Sequence, residues 1–258
     1  MGFHGFVRFD YTSFRLNGIP PIRMAFFLLS SYKPNQGLPV EGDGHMGLGH
    51  TEATRTIVDM SILNVLSEAQ LIDHKRFTLL CVCDAHRNDL EPDAQVVFGS
   101  HHKIYPEDFQ MTPAYVARGG WKVEVRGLRT PTQSISLMAF TATLDSTTWL
   151  NGASVERAGL INAALGGTLS ENVYTVDCNQ ISQLPTLVFI FNGFELSLQP
   201  EQYVQKEQRH GRTRCFSSIV SNPGIRNKDM VLGMAFMEQF LTMFDQEAKN
   251  VGFQPRIC

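Results

Sequence analysis

The stretch best suited to chemistry is Leu144-Asp145-Ser146-Thr147-Thr148-Trp149, which closes a long alternating apolar run from Ser134 to Leu144. A carboxylate at the tip of a strand can accept or release a proton in a cleft, and hydroxyls and backbone N–H groups beside it can hold it in place. The same Asp-Ser-Thr run is also what a turn or a helix N-cap uses, because short polar side chains bond to nearby backbone. On residue types alone the two uses are not separated.

The other reactive residues point away from metals and cofactors. Five cysteines are an odd number, so at least one has no partner within the chain. Cys81 and Cys83 lie two apart in a strand-like run, on one face, as core residues would. The eight histidines include no His-Glu-x-x-His, and no Cys-x-x-Cys occurs, so no metal site is expected. Gly42-Asp43-Gly44-His45-Met46-Gly47 fits the dinucleotide pattern G-x-G-x-x-G. That pattern needs a strand directly before it, whereas Lys33-Pro34-Asn35-Gln36-Gly37 precedes it, and it is set aside. No cofactor is expected.

At 258 residues with 43% apolar content the chain can build a large core, as one all-β unit or as two lobes. A net charge of -3 with dispersed Lys and Arg gives no footprint for nucleic acid or for an anionic membrane. The longest apolar runs, such as Met24 to Leu29, fall far short of a membrane-spanning helix, and the first residues carry no secretory pattern.

The elements that must position Asp145 are strands. Phe6 to Leu16 and Ile22 to Ser30 flank a turn at Asn17-Gly18, and Phe77 to Cys83, Ala94 to Phe98 and Phe109 to Val116 follow. Trp121 to Arg129 and Ser134 to Leu144 read as two strands of a meander leading into Asp145. Arg55 to Leu71 has helical apolar spacing at Ile57, Met60, Leu63 and Leu66, and Ser154 caps a second helix that stops at Gly166-Gly167. Leu187 to Phe191 and Phe194 to Leu198 form a hairpin about Asn192-Gly193. The end of the chain reads as strand, short helix around Ala235 to Phe240, strand Leu241 to Asp245, turn, and strand Val251 to Gln254, for two or three helices in all.

Several spaced motifs together resemble pepsin-like aspartic proteases. Val231-Leu232-Gly233-x-x-Phe236, Phe244-Asp245 and Val251-Gly252-Phe253 are similar to that family's closing segment. Tyr174 to Cys178, Ile181-Ser182-x-Leu184-Pro185, Phe191-Asn192-Gly193, Gln202-Tyr203-Val204 and Cys215 match it in the same order. Asp43 to Gly49, Phe98-Gly99 and Trp121-Lys122-Val123 resemble earlier family segments, so the similarity runs from about Gly5 to Phe253 and is strongest from Trp121 onward.

The resemblance implies an all-β fold with a C-terminal lobe, residues 114–258, and the rear part of an N-terminal lobe, residues 1–113. It implies peptide or protein substrates, a secreted or endolysosomal compartment, and a Cys178–Cys215 disulfide, with the pairing of Cys81, Cys83 and Cys258 left open. Asp145 falls at the second-lobe aspartate, Ser146, Thr147 and Thr148 at the cleft beside it, and Val231, Leu232 and Gly233 behind the active-site loop. The family places Asp-Thr-Gly-Thr at this point; here the spacing to Asn151-Gly152 is one residue short, as if the glycine were missing.

Family chemistry needs two aspartates, one as base toward a water and the other protonated to polarise the peptide carbonyl. No Asp-Thr-Gly or Asp-Ser-Gly occurs in these 258 residues. The expectation is therefore an N-terminally truncated relative, inactive by itself, with possible self-association through uncovered strand edges in its N-terminal part. Two alternatives stand beside it. A longer product or a second chain supplies the missing aspartate to Asp145, Ser146 and Thr148, or the inherited cleft binds peptides or a partner without hydrolysis.

Overall fold

A computed structural model describes residues 5–14, 21–32, 46–50, 61–81, 94–102, 104–117, 120–132, 134–135, 138–209 and 211–256. Strands dominate, as the alternation of apolar residues requires. Ten of them form one wide sheet, in the order Ile219–Ser221, Asn151–Ala153, Asp229–Leu232, Phe140–Leu144, Gly120–Val125, Gln110–Ala117, Asn250–Pro255, Phe240–Asp245, Arg76–Cys81 and Ala94–Phe98. The last two segments of the chain thus lie between early strands and the middle of the sheet, and residues 113 and 114 fall inside the strand Gln110–Ala117 that joins the two parts.

The buried face of this sheet is set by period-two alternation. Trp121, Val123 and Val125 point inward from Gly120–Val125, and Phe140, Ala142 and Leu144 point inward from Phe140–Leu144. Around them the aromatic rings interlock. Phe77 stacks on Phe244 with centroids 4.6 Å apart, and Trp121 meets Phe244 edge-on at 5.3 Å. The Trp121 indole N–H donates to Leu48 O at 2.8 Å, which ties the Met46–His50 segment to the strand that flanks the Asp145 strand.

Two four-stranded sheets complete the core. One runs Glu195–Leu198, Leu187–Ile190, Gly127–Arg129, Ser134–Ile135; the other runs Thr168–Ser170, Val173–Val176, Arg212–Ser217, Val204–Arg209. Gly5–Phe14 and Ile22–Tyr32 pair antiparallel as a separate ribbon, as expected, and the turn at Asn17-Gly18 lies outside the described residues. The Leu187–Ile190 and Glu195–Leu198 hairpin also forms, closed by Phe191 N–H donating to Phe194 O at 2.9 Å, with Gly193 at φ 95°.

Two strands read as continuous are broken. Trp121 to Arg129 divides at Arg126, whose N–H donates to Ile190 O, and its second half joins a different sheet. Ser134 to Leu144 divides likewise: Ser134–Ile135 pairs with Gly127–Arg129, Met138 is exposed, and only Phe140–Leu144 enters the wide sheet. The phase of the alternation shifts at both breaks, from Val125 to Leu128 and from Ile135 to Phe140, while each half keeps its own period of two. Among the described residues there are four α-helices, one more than the upper expectation; the additional one is the single turn Pro200–Tyr203. The first helix covers Ile62–Glu68, capped by Ser61, while residues 55–60 of the predicted span lie outside the described residues. Val155–Ala164 begins at its Ser154 cap as predicted, and Gly166 takes φ 76° just beyond it. Most of the glycine-rich run Gly42 to Gly47, together with Cys83 and Cys258, also lies outside.

Tyr203, 0% exposed, donates its hydroxyl to Pro185 O at 2.8 Å, and burial pushes its phenol well above the ordinary tyrosine range. At the surface, the Ser100 hydroxyl and N–H both bond to Asp73 and hold its carboxyl at about 2, against an ordinary 3.8. A depressed folded-state value stabilises above the unfolded one and is lost as protons bind. Urea midpoints are therefore expected to fall as pH drops from 3.8 toward about 2, and to fall less steeply in Asp73→Asn.

Candidate active site

Asp145 leaves the end of Phe140–Leu144, in the middle of the wide sheet. That strand has Asp229–Leu232 beside it in parallel and Gly120–Val125 on its other side in antiparallel. The chain then crosses over the end of Asp229–Leu232 and returns as Asn151–Ala153, antiparallel to that strand on its far side. Residues 145–150 are thus a loop laid across the end of a buried strand, and Asp145 sits where it begins. Its N–H donates to Leu232 O at 3.0 Å, which extends the strand pairing by one residue.

Local polar groups fix the carboxylate. Asp145 Oδ1 accepts from Thr147 N–H at 2.9 Å and from the Thr147 hydroxyl at 2.6 Å. The Thr148 hydroxyl donates to the Asp145 carbonyl at 3.2 Å, and Thr148 N–H faces the same oxygen at 3.4 Å. Thr147, and not Ser146, is therefore the hydroxyl on the carboxylate. Among the described residues Oδ2 accepts no hydrogen bond, and Ser146 and Thr147 are exposed. This is the turn geometry that the residue types allowed, and it leaves one carboxylate oxygen without a hydrogen bond among the described residues.

Val231, Leu232 and Gly233 lie directly beneath the loop. A Cβ on Gly233 would stand 2.6 Å from Thr148 O, 2.7 Å from Leu150 O and 2.8 Å from Trp149 O, so three backbone carbonyls crowd over this residue. Two of those carbonyls accept the first N–H groups of the helical turn Met234–Met237: Met234 N–H donates to Thr148 O and Ala235 N–H to Trp149 O, both at 2.9 Å. Donors that a helix start would otherwise leave unpaired become the fastening of the loop.

Asn151, 0% exposed, locks the far end. Its Oδ1 accepts from Gly233 N–H at 2.9 Å, its Nδ2 donates to Ser218 Oγ at 3.1 Å, and its own N–H donates to Ser218 O at 2.8 Å. Trp149 lies between these anchors with its indole N–H on Gln205 Oε1 at 3.0 Å, a link from the loop to Val204–Arg209. The sequence reading passed over Asn151, Trp149 and Gln205. Asn151 carried a signal in the Asn-Gly spacing after Asp145, whereas the Trp149–Gln205 bond spans 56 residues and has none.

The sheet face that bears Asp145 continues away from it through Thr143. There a cavity of about 550 Å³ is lined by Lys122, Thr143, Ile225, Arg226, Asp229 and Val231, with Arg226 Nε on Asp229 Oδ2 at 2.6 Å. Among the described residues no cluster of histidine, cysteine or acidic side chains could hold a metal ion, and no helix is long and apolar enough to cross a membrane. Cys178 and Cys215 form a disulfide between the segment after Val173–Val176 and the strand Arg212–Ser217, in line with the expected pairing.

Comparison with known proteins bears on this loop. The family model described as eukaryotic aspartyl protease matches residues 4–256. A cathepsin D of Clupea harengus is 31% identical over 170 residues, which cover 64% of this chain and 43% of that protein. A cathepsin D of Chionodraco hamatus is 28% identical over 217 residues, 82% of this chain and 53% of that protein. A renin of Echis ocellatus is 26% identical over 216 residues, with the same two shares, 82% and 53%. The chain spans about half the length of the curated relatives it matches.

Proposed function

Because the chain belongs to the eukaryotic aspartyl protease family, we propose that its 258 residues engage peptide chains at the Asp145 loop and do not hydrolyse them unaided. One observation carries this reading: a single aspartate, Asp145, stands at the end of the strand Phe140–Leu144 with one oxygen that accepts no hydrogen bond among the described residues, and no Asp-Thr-Gly or Asp-Ser-Gly occurs elsewhere in these residues. Hydrolysis by two carboxylates divides the work. One takes a proton from the attacking water while the other, protonated, donates to the carbonyl oxygen, and a lone carboxylate cannot hold both states at once. In this proposal Asp145 is a hydrogen-bond acceptor toward bound peptide, Ser146, Thr147 and Thr148 line its cleft, and Val231, Leu232 and Gly233 support it from behind. Residues 114–258 supply the site in this reading. An extracellular or endolysosomal setting suits the Cys178–Cys215 disulfide.

The free Oδ2 favours a second reading, in which a carboxylate from a second chain or from residues beyond these 258 faces Asp145 and completes a peptidase. One assay separates the two. The purified chain is expected to show no pepstatin-sensitive cleavage of a denatured protein between about pH 3 and 6, with Asp145→Ala indistinguishable from the parent. Inhibitor-sensitive turnover that disappears in Asp145→Ala would reject the non-hydrolytic reading and establish the second.

A further inference from the structure

The cavity beside Asp145 is built by strand register. Lys122 pairs with Thr143 and Thr143 with Val231, so the three stand in one row on the sheet face turned away from the core. Gly152 continues that row next to Val231, and a Cβ there would stand 2.8 Å from Ile225 Cδ1, so the glycine leaves the room that Ile225 occupies at the end of the row. Asp229 lies two residues before Val231 on the same face and holds Arg226 at the cavity through the 2.6 Å bond from Nε to Oδ2. The space these residues border, about 550 Å³, is ample for a single side chain.

Its charge is unbalanced. Arg226 is neutralised by Asp229, whereas Lys122, half-buried in the cavity wall, has no hydrogen bond or ion pair among the described residues. The nearest acid on its own strand, Glu124, faces Arg126 at 3.6 Å. An ammonium held partly out of water beside Ile225 and Val231 gives up hydration without gaining a counter-ion, and an entering anion makes that good. Thr143 and Asp145 are two strand residues apart, roughly 7 Å, within reach of a peptide side chain one or two residues from the group that meets Asp145.

We infer that this cavity takes an acidic side chain, glutamate or aspartate, of a peptide engaged at Asp145, and that Lys122 is the specificity-determining residue that pairs with its carboxylate. This rests on the peptide-binding reading proposed above.

The test uses the 258-residue chain and calorimetric affinity for two blocked hexapeptides that differ in charge and hardly in shape, acetyl-Ala-Ala-Phe-Glu-Glu-Ala-amide and acetyl-Ala-Ala-Phe-Gln-Gln-Ala-amide. The glutamate peptide is expected to bind about fivefold more tightly at low salt, with the gap closing as salt is added. Lys122→Met keeps the aliphatic stem without the charge and should erase the difference. Asp229→Asn removes the competing carboxylate and releases Arg226, so the ratio should widen by about twofold; this variant keeps the inference testable if Lys122→Met does not fold. Equal affinities in the parent, a preference retained in Lys122→Met, or an unwidened ratio in Asp229→Asn overturns the role of the cavity while leaving peptide binding intact. The glutamine peptide with a free carboxyl end is the third probe: a gain over its amide, with no preference for glutamate, would assign the cavity to a chain end and overturn the side-chain assignment. Failure of the parent chain to bind any of these peptides overturns both readings.

Discussion

Reducing the Cys178–Cys215 disulfide, or replacing both cysteines by serine, is expected to lower stability by about 4 kcal/mol in the chain-entropy account. The two cysteines are 37 residues apart, and the chain between them includes the Leu187–Ile190 and Glu195–Leu198 hairpin, the turn Pro200–Tyr203 and the strand Val204–Arg209. A cross-link over a loop of that length removes many conformations from the unfolded chain. In the folded state it joins the end of Val173–Val176 to Arg212–Ser217, next to the register pair Val176 and Cys215, so native backbone pairing is already in place. For a chain of this size the loss corresponds to a fall in melting temperature of about 10 °C, measured by calorimetry on the serine double variant. A change below about 1 kcal/mol would mean that the unfolded chain keeps these segments together without the bond.

The effect reaches the site through one strand. Gln205 belongs to Val204–Arg209, an edge strand whose strand partner among the described residues is Arg212–Ser217, the strand that carries Cys215. Loosening that pair would free Gln205 and break its hydrogen bond to the Trp149 indole. Unfolding experiments on the disulfide variant should therefore show the Trp149 emission changing before that of buried Trp121.

The parts that the sequence made legible share a physical cause. Wherever a strand buries one face, as in Phe140–Leu144 or Gly120–Val125, the apolar residue recurs every second position and the strand is visible. Caps and turns were equally plain, since Ser154, Gly166 and Gly193 occupy positions whose backbone geometry favours them. Val204–Arg209 and Arg212–Ser217 are not visible in the sequence because Val204, Cys215 and Phe216 are their only apolar residues, and the buried positions of the second strand, Cys215 and Ser217, form no apolar alternation. The breaks at Arg126 and near Met138 are harder to see because each half is apolar on schedule, and only a one-residue shift of phase, from Val125 to Leu128 and from Ile135 to Phe140, marks the change of partner sheet. At the site, Asp145 was visible from its place at a strand end, and Gly233 from family resemblance. The hold of Asn151 on Gly233 and of Gln205 on Trp149 joins residues 82 and 56 apart, and no local pattern encodes such a pair.

Gly233→Ala is expected to cost about 3 kcal/mol or more and to abolish peptide binding at the Asp145 loop. The cause is not backbone conformation, since φ at Gly233 is -86°, a value open to any residue. It is the close approach of the loop: a methyl group would sit 2.6 to 2.8 Å from three carbonyl oxygens, far inside van der Waals contact. Flexible side chains could swing aside, but these oxygens are backbone. Two of them are also the acceptors for Met234 and Ala235, so lifting the loop to admit the methyl group would stretch both bonds and strand the helix-start donors. The Gly233 N–H to Asn151 Oδ1 bond would be pulled from the other side. Gly47→Ala is the control, because a Cβ there meets nothing within 4 Å and the backbone is unstrained. That control should stay within about 0.5 kcal/mol of the parent. Urea unfolding of the two variants, read beside calorimetric binding of the blocked hexapeptide acetyl-Ala-Ala-Phe-Phe-Ala-Ala-amide, decides the matter. If Gly233→Ala were as stable as Gly47→Ala and still bound peptide, the loop would not rest on Gly233, and the positioning of Asp145 would have to come from Leu232 and Thr147 alone.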